Sequence, residues 1–194
     1  MTVRALAGLT AVLGLLLLAP SAQAGGLTAS CDGQVLEQPF LPWADPAQYV
    51  IAPDGAFDGR ADGWDVTGAD VVAERSPLSG GQALRIGSDG SATSPAMCVT
   101  LVHPTLRFLA RNAGEASATL GVEVLFEDLA GRVQSLPIGA VAGGGAWSPT
   151  VPMPILANLL ALLPGEQTPV AFRFTAQGGD WRIDDVYVDP YCKR

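Results

Sequence analysis

Apolar and polar residues alternate along several short segments of this chain, which is the pattern of β-strands that bury one face. The clearest segments are Leu106–Arg111, Leu120–Glu127 and Val170–Thr175. The turn-forming residues Asp128–Gly131 follow the second segment and predict a β-hairpin. The length and spacing of these strands, with no long helical period between them, predict an all-β fold, an antiparallel two-sheet β-sandwich.

One segment departs from this pattern. Residues Ile155–Leu163 are apolar on nearly every side, favour helix by propensity and end at Pro164. The segment is too short to cross a membrane, and we interpret it as a helical turn that closes one open end of the sandwich. The alternative is an apolar patch that binds a membrane or a partner.

The alternation also places four charged residues opposite the apolar positions of their strands: Arg107, Arg111, Glu123 and Arg173. If these strands are neighbours, the four side chains form an Arg-rich face with one carboxylate. Such a face could bind the hydroxyls or a uronate carboxylate of a glycan through Arg forks. The alternative is that they pair with each other and contribute at most about 1 kcal/mol at the surface.

The first 24 residues predict a secretory signal peptide. Arg4 supplies a positive charge, Ala5–Ala19 is apolar, and Ala22–Ala24 matches a small-x-small cleavage site. An uncleaved anchor is the alternative, but the apolar run is short for a span of about 20 residues. We therefore expect export, to the extracellular space or the cell envelope, and no membrane span after cleavage. The predicted parts are a signal peptide (1–24), a lead-in segment (25–51), a sandwich domain (52–190) and a tail (191–194).

Composition changes this picture little. The chain has 11 Lys and Arg against 19 Asp and Glu, a net charge of −8, and no basic run. Nucleic acid is therefore not an expected partner. Its 23 glycines and 15 prolines suit many short strands joined by turns.

Export predicts that two of the three cysteines form a disulfide, because disulfides persist outside the cytoplasm. Cys31, Cys98 and Cys192 allow three pairings, each of which leaves one thiol free. We favour Cys31–Cys98, since Cys192 lies near a chain end that is expected to fray, with Cys31–Cys192 as the second choice. No Cys-x-x-Cys or Cys/His spacing predicts a zinc site.

Catalytic patterns are weak in this sequence. His103 is the only histidine, and it precedes a proline at a predicted turn. Glu123 and Glu127 have the residue types of a glycosidase pair, but they share the solvent side of a hairpin. The run Gly143–Gly145 lacks the lysine of a phosphate-binding loop. We therefore do not expect an enzyme.

Short motifs at both ends of the predicted domain point to a known fold. Residues Asp54–Asp58 read Asp-Gly-Ala-Phe-Asp and are followed by Gly63 and Trp64. They resemble the Asn-Gly-x-Phe-Glu…Gly-Trp opening of secreted bacterial galactose-binding-like jelly rolls, which include several carbohydrate-binding module families. The closing strand Ile183–Val186 reads Ile-Asp-Asp-Val, which is common in these domains. The resemblance covers Ala52–Pro190 and implies a jelly roll.

The resemblance further implies a structural calcium ion between the opening turn and the closing aspartate pair. The matching candidates are Asp58 and Asp184, with Asp54 and Asp185 as alternates. Carboxylate and carbonyl oxygens suit this hard cation. If Val186 faces the core, strand parity places Asp184 there too, where a buried carboxylate needs a cation or donors. The alternative is a turn aspartate and a solvated acidic strand.

These observations favour an exported, non-catalytic binding domain whose partner is an extracellular or cell-wall glycan. The alternative is a cell-envelope structural or protein-interaction sandwich without a sugar site, and a secreted hydrolase is a distant third. Tryptophan exposure discriminates the first two, because sugars stack on exposed rings. The structural alternative predicts that Trp43, Trp64, Trp147 and Trp181 are all buried.

Overall fold

The structure, a computed structural model, describes residues 26–100, 104–155 and 167–189. The predicted signal peptide, most of the predicted helical segment, His103, Cys192 and the tail lie outside these ranges. Within them, no helix is long and apolar enough to cross a membrane.

The described regular structure consists of β-strands and one short 3₁₀ turn, Leu41–Trp43. The strands are β1 (Val50–Ile51), β2 (Asp65–Val72), β3 (Ala83–Thr93), β4 (Met97–Val99), β5 (Thr105–Asn112), β6 (Thr119–Glu127), β7 (Val133–Ala142), β8 (Ser148–Pro149), β9 (Met153–Pro154), β10 (Thr168–Gln177) and β11 (Trp181–Asp189). Strands β6 and β7 form the predicted hairpin, with Glu127 opposite Val133 beside its turn. The all-β prediction is confirmed.

The long strand β3 joins two sheets. Its C-terminal half pairs with β10, where Ser91 lies opposite Thr175. Its N-terminal half pairs with β11, where Leu84 lies opposite Ile183. The first sheet therefore runs β7-β6-β10-β3 and the second runs β3-β11-β5-β8, with every described pair antiparallel. Edge strand β2 follows β3 along both sheets.

A glycine allows β2 to approach β3 closely near the middle of β3. A Cβ on Gly90 would lie 2.7 Å from the carbonyl oxygen of Gly68 and 2.9 Å from that of Gly87. Both atoms belong to the backbone and cannot move aside as a side chain would. Strands β2 and β3 can therefore approach this closely only where position 90 has no side chain.

Aromatic side chains fill the space between the two sheets. Phe108 of β5 meets Phe174 of β10 edge to face, with ring centroids 5.1 Å apart. Trp64 stacks on Phe174 at 5.9 Å, and Phe57 packs against Trp64 at 5.0 Å. All four rings are buried in one continuous core to which both sheets contribute. The predicted two-sheet sandwich is therefore confirmed.

The lead-in segment packs on the outer face of the second sheet. Phe40 and Tyr49 are buried there against Leu109 of β5 and Tyr187 of β11. Each backbone amide of Glu37 and Tyr49 donates to the carbonyl of the other at 2.8 Å, which closes the segment into a loop. This loop, residues 37–49, is called the strap below.

A disulfide connects the N-terminal segment to β4. Cys31 and Cys98 are bonded, with their Cα atoms 5.3 Å apart and a sequence separation of 67. The favoured pairing is therefore confirmed. A loop of this length stabilises the fold by roughly 4 kcal/mol in the chain-entropy account.

Candidate functional site

The four residues predicted to share a face lie on two different sheets. Arg107 and Arg111 belong to β5 of the second sheet, whereas Glu123 and Arg173 belong to β6 and β10 of the first. Strands β3 and β11 lie between β10 and β5. Because the sheets pack face to face, their outer surfaces point away from each other. The structure therefore does not form the single Arg-rich face.

Arg107 is occupied in holding the strap. Its side chain is buried, its Nε donates to the carbonyl oxygen of Thr150 at 2.7 Å, and its Nη1 pairs with Asp45. The guanidinium carbon lies 4.6 Å from the centroid of the Phe40 ring, a cation–π contact. Asp45 also accepts from the Tyr49 hydroxyl at 2.6 Å. Arg107 therefore serves the structure and is closed to a ligand.

Arg111 takes part in an ion network across the second sheet. Its Nε lies 2.6 Å from a carboxylate oxygen of Glu74, and the Nε of Arg182 lies 3.2 Å from the other oxygen. Arg182 stands directly opposite Arg111 and also opposite Arg85 in the pairing register. Like charges in register destabilise a sheet unless an acid separates them. Glu74 fulfils that role for this pair.

Glu123 and Arg173 meet on the outer face of the first sheet. They are direct partners in the β6–β10 register, and Arg173 Nη1 lies 3.6 Å from Glu123 Oε2. Ser135 of β7 donates to Glu123 Oε1 at 3.1 Å. Two of the four predicted ligand residues therefore lie together.

An open trough of about 310 Å³ adjoins this pair. It is lined by residues 121–123, Pro137, Gly139, Thr175 and Gln177. Gly121 forms its floor between the flanking strands β7 and β10. A Cβ at this glycine would have only ordinary contacts, at 3.7 Å and 3.9 Å. This open volume and the residues that line it are called the trough below.

Most residues that line the trough were missed by the sequence analysis. Thr175 and Gln177 have the same strand parity as Arg173, so extending the alternation by four positions would have found them. Gly121 has the same parity as Glu123, which assigns it to this face, but the alternation does not show that the surface is open there. The outer face continues toward β2 with Thr93 and Asp65, which lie in register with Arg173.

The burial of the four tryptophans agrees fully with neither of the two function hypotheses. Trp64 and Trp181 are buried in the core. Trp43 of the strap and Trp147 are half-buried and pack against the same cluster as Phe40 and Tyr49, on the sheet that does not carry the trough. No aromatic residue lines the trough among the described residues. Neither full burial nor an aromatic platform at the trough is therefore observed.

The opening turn and the closing strand meet, as the sequence motifs predict. The amide of Ala52 donates to the carbonyl oxygen of Val186 at 2.8 Å, and the amide of Val186 donates to that of Gly55 at 3.0 Å. With its amide nitrogen facing the turn, Gln82 donates to the carbonyl oxygens of Phe57 at 3.0 Å and Asp58 at 3.0 Å. The turn is therefore fixed from both sides.

The parity argument for Asp184 is wrong. Ile183 and Val186 both enter the core although they lie three positions apart, because a bulge interrupts the pairing with β5 after Asp184. Asp185 absorbs this bulge with a left-handed φ of 52°, which aspartate tolerates better than most residues. Asp184 therefore lies beside Leu109 on the outer face of the second sheet.

A loop nevertheless buries this aspartate pair. Ser79 donates to Asp184, and Ser76 donates to Asp185 at 2.8 Å. Burial raises the pKa of Asp184 to about 7, and the neighbouring Asp185 charge acts in the same direction. Burial likewise raises the pKa of Asp185, with a further contribution from Asp58. The burial of these two carboxylates is therefore not fully offset by nearby donors or cations.

The four predicted calcium ligands lie on the opening turn and the closing strand. Asp184 and Asp185 are adjacent in β11 and the charge of Asp58 acts on Asp185, whereas Asp54 accepts from the amide of Asp62 at 2.7 Å. No group of three or more acidic, His or Cys side chains arranged to hold a metal occurs in the described ranges. The donors present are carboxylates and serine hydroxyls, which suit a hard cation. Calcium stays a prediction.

Comparisons with known proteins show similarity of fold. No protein-family model and no curated protein sequence matches the chain. A Clostridium thermocellum structure of the CBM22-1 and GH10 modules of endo-1,4-beta-D-xylanase 10B, complexed with xylohexaose, superposes with a TM-score of 0.54 and 16% identity. That match covers 72% of this chain and 28% of the other.

Two structures of domains of Paenibacillus barcinonensis Xyn10C are similar as well. The tandem CBM22-1–CBM22-2 domain has a TM-score of 0.53 and 15% identity, over 75% of this chain and 46% of that one. The CBM22-1 xylan-binding domain alone has a TM-score of 0.50 and 17% identity, over 76% and 97%. The chain thus spans less than half of the first two structures. In fold it is similar to carbohydrate-binding modules of the galactose-binding-like jelly-roll type.

Proposed function

We propose that this chain is an exported, non-catalytic domain that binds a carbohydrate in the trough. The observation that carries the proposal is the open trough beside the Glu123–Arg173 pair, on a fold shared with carbohydrate-binding modules. The neighbour solved with xylohexaose supports an oligosaccharide as the partner. The Cys31–Cys98 disulfide and the predicted signal peptide support an extracellular or cell-envelope location.

The trough offers the chemistry that sugar hydroxyls require. Among its lining residues, Glu123 supplies acceptors, and Thr175 and Gln177 supply both donors and acceptors. Arg173, the partner of Glu123 beside the trough, supplies donors. Its volume lies at the lower end of the range for ligand sites, about 300–1,000 Å³, which suits one or two sugar rings. Because none of the described residues that line the trough is aromatic, hydrogen bonds must supply the affinity.

Hydrolysis is not supported by the carboxylates. Glu127 accepts a hydrogen bond from the amide of Leu27 and is tied to the N-terminal segment. Among the described residues that line the trough, Glu123 is the only carboxylate. A glycosidase normally needs two carboxylates flanking one bond.

Filling the trough should abolish binding without unfolding the domain. We expect Gly121→Phe to weaken binding to any glycan identified on an array by more than tenfold. Position 121 has room for a Cβ and a backbone that L-residues adopt, so the melting temperature should change little. Calorimetric titration measures the first quantity and differential scanning calorimetry the second.

Ala130→Phe is the matched control, because Ala130 is exposed at the tip of the β6–β7 hairpin. This variant should bind like the parent chain. Full binding by Gly121→Phe would show that the ligand lies elsewhere.

The second candidate is a cell-envelope structural or protein-interaction domain. It is favoured by the lack of an aromatic ring among the described residues that line the trough. Absence of binding to every glycan on an array would support this candidate over the first.

We further propose that calcium binds between Asp58 and the Asp184–Asp185 pair. A cation there would offset the burial of two carboxylates and stabilise the junction of opening turn and closing strand. Millimolar calcium should raise the melting temperature by about 5 °C relative to chelator, since binding to the folded state alone adds stability.

The matched variants for this prediction are Asp184→Asn, which should lose the calcium effect, and Asp32→Asn, which should keep it. Asp32 is an exposed turn residue. An identical melting temperature with and without calcium, together with no calcium in elemental analysis, would contradict the proposal of a calcium site.

A further inference from the structure

The Glu123–Arg173 pair is incompletely satisfied by the protein. The 3.6 Å between Arg173 Nη1 and Glu123 Oε2 exceeds a hydrogen-bond distance. Arg173 Nε has a long contact of 3.5 Å to the Thr93 hydroxyl. The two side chains are 39% and 29% exposed, so both retain hydrogen-bonding capacity, Glu123 in the lining of the trough and Arg173 beside it. A ligand can use this capacity without breaking a strong internal contact.

The charges around the trough disfavour an acidic sugar. Separation of the two sheets removes Arg107 and Arg111 from this face, so that Arg173 is the one of the three predicted arginines that stays there. Glu123 stands beside that arginine, and Asp65 ends the same cross-strand row. A uronate carboxylate would therefore meet more negative than positive charge, whereas a neutral sugar would not be repelled.

A carboxylate beside a guanidinium presents acceptors and donors side by side. A pair of hydroxyls on adjacent ring carbons matches this arrangement, because each hydroxyl can donate to the carboxylate and accept from the guanidinium. One isolated hydroxyl can satisfy only half of it. The pair therefore distinguishes sugars by whether two neighbouring hydroxyls are free.

We propose that the trough selects neutral glycans that carry a free vicinal diol, held by Glu123 and Arg173. This inference rests on the proposed function, since it names the ligand class of the same site. The linkage of the glycan then controls binding. A β-1,4-linked chain leaves the 2- and 3-hydroxyls of every internal ring free, whereas a β-1,3-linked glucan has no vicinal diol on its internal rings.

The test compares hexasaccharides by calorimetric titration of the full chain. The probes are the β-1,4-linked hexamers of xylose and of glucose and the β-1,3-linked hexamer of glucose. We expect at least one 1,4-linked hexamer to bind at least tenfold more tightly than the 1,3-linked one. Periodate oxidation followed by reduction opens rings at vicinal diols, and it should remove the binding of the preferred hexamer. Equal binding of both linkages, or binding that survives periodate, overturns the diol inference.

Substitutions of Glu123 and Arg173 test whether this pair causes the preference for the 1,4 linkage. Glu123→Gln and Arg173→Gln should each weaken binding of the preferred hexamer at least tenfold and reduce the preference for the 1,4 linkage. Asp32→Asn removes one exposed carboxylate and should change neither. A linkage preference that survives both substitutions contradicts the inference while the proposed function stands. Binding to no hexamer and to no array glycan contradicts the proposed function itself.

Discussion

Replacing Asp45 by alanine is expected to lower the free energy of unfolding by about 3–5 kcal/mol. The substitution leaves Arg107 buried without its ion-pair partner, and an uncompensated buried charge is costly. It also removes the acceptor of the Tyr49 hydroxyl and of the Ala47 amide. The strap should come loose, because these contacts fix it to the second sheet. Urea unfolding of the variant and the parent chain measures the loss.

The pKa of Asp45 agrees with this role. Burial alone would raise it, but hydrogen bonds from Tyr49 and Ala47 and the nearby Arg107 charge outweigh burial and lower it. The ionised carboxylate is therefore the stabilising form.

Removing both charges provides the control for this prediction. The double variant Asp45→Ala with Arg107→Met should recover most of the lost stability, since an apolar side chain replaces the unpaired cation. If Asp45→Ala costs less than about 1 kcal/mol, the strap is not held by this ion pair.

The second large effect concerns pH. In the presence of chelator, stability should fall as the pH rises from about 4 to about 8. The pKa of Asp184 is raised from 3.8 to about 7 in the folded protein, so the folded state binds more protons than the unfolded state between these values. Its contribution is therefore fully present below about pH 4 and is lost as the pH rises through 7. This rise in the pKa of Asp184 corresponds to a contribution of about 4 kcal/mol to the free energy of unfolding, which we take as an upper bound.

Asp184→Asn isolates this contribution, because the amide stays neutral at every pH. The variant should be more stable than the parent at pH 8 and similar at pH 4, as measured by urea unfolding in chelator. Calcium should reduce the difference, since a cation favours the ionised pair. If the difference in stability between variant and parent does not depend on pH, Asp184 is not held in its protonated form.

Much of the fold could be predicted from local pattern. The alternation in β5, β6 and β10 identified strands and their inward faces, and the Asp-Gly-Ala-Phe-Asp turn and Ile-Asp-Asp-Val strand correctly indicated that the chain ends of the domain meet. The pairing of Cys31 with Cys98 followed from the expected fraying of the chain end. These features depend on residues close in sequence or on motifs of known geometry.

The remainder depends on long-range arrangement. Period two assigns Arg107 and Arg173 to outward faces, but it does not say that β5 and β10 belong to different sheets. The bulge at Asp185 has no glycine to mark it, so its parity shift could not be read from the sequence. The trough depends on three strands meeting around Gly121, a feature of sheet order alone.

We propose above that a glycan binds on the outer face of the first sheet. Chemical-shift mapping tests it most directly, with the oligosaccharide that binds most tightly added to ¹⁵N-labelled protein. We expect perturbed amides at Gly121, Glu123, Thr175 and Gln177, and unperturbed amides at Arg107 and Arg111. Perturbation confined to the strap around Trp43, or no perturbation by any glycan, would contradict it.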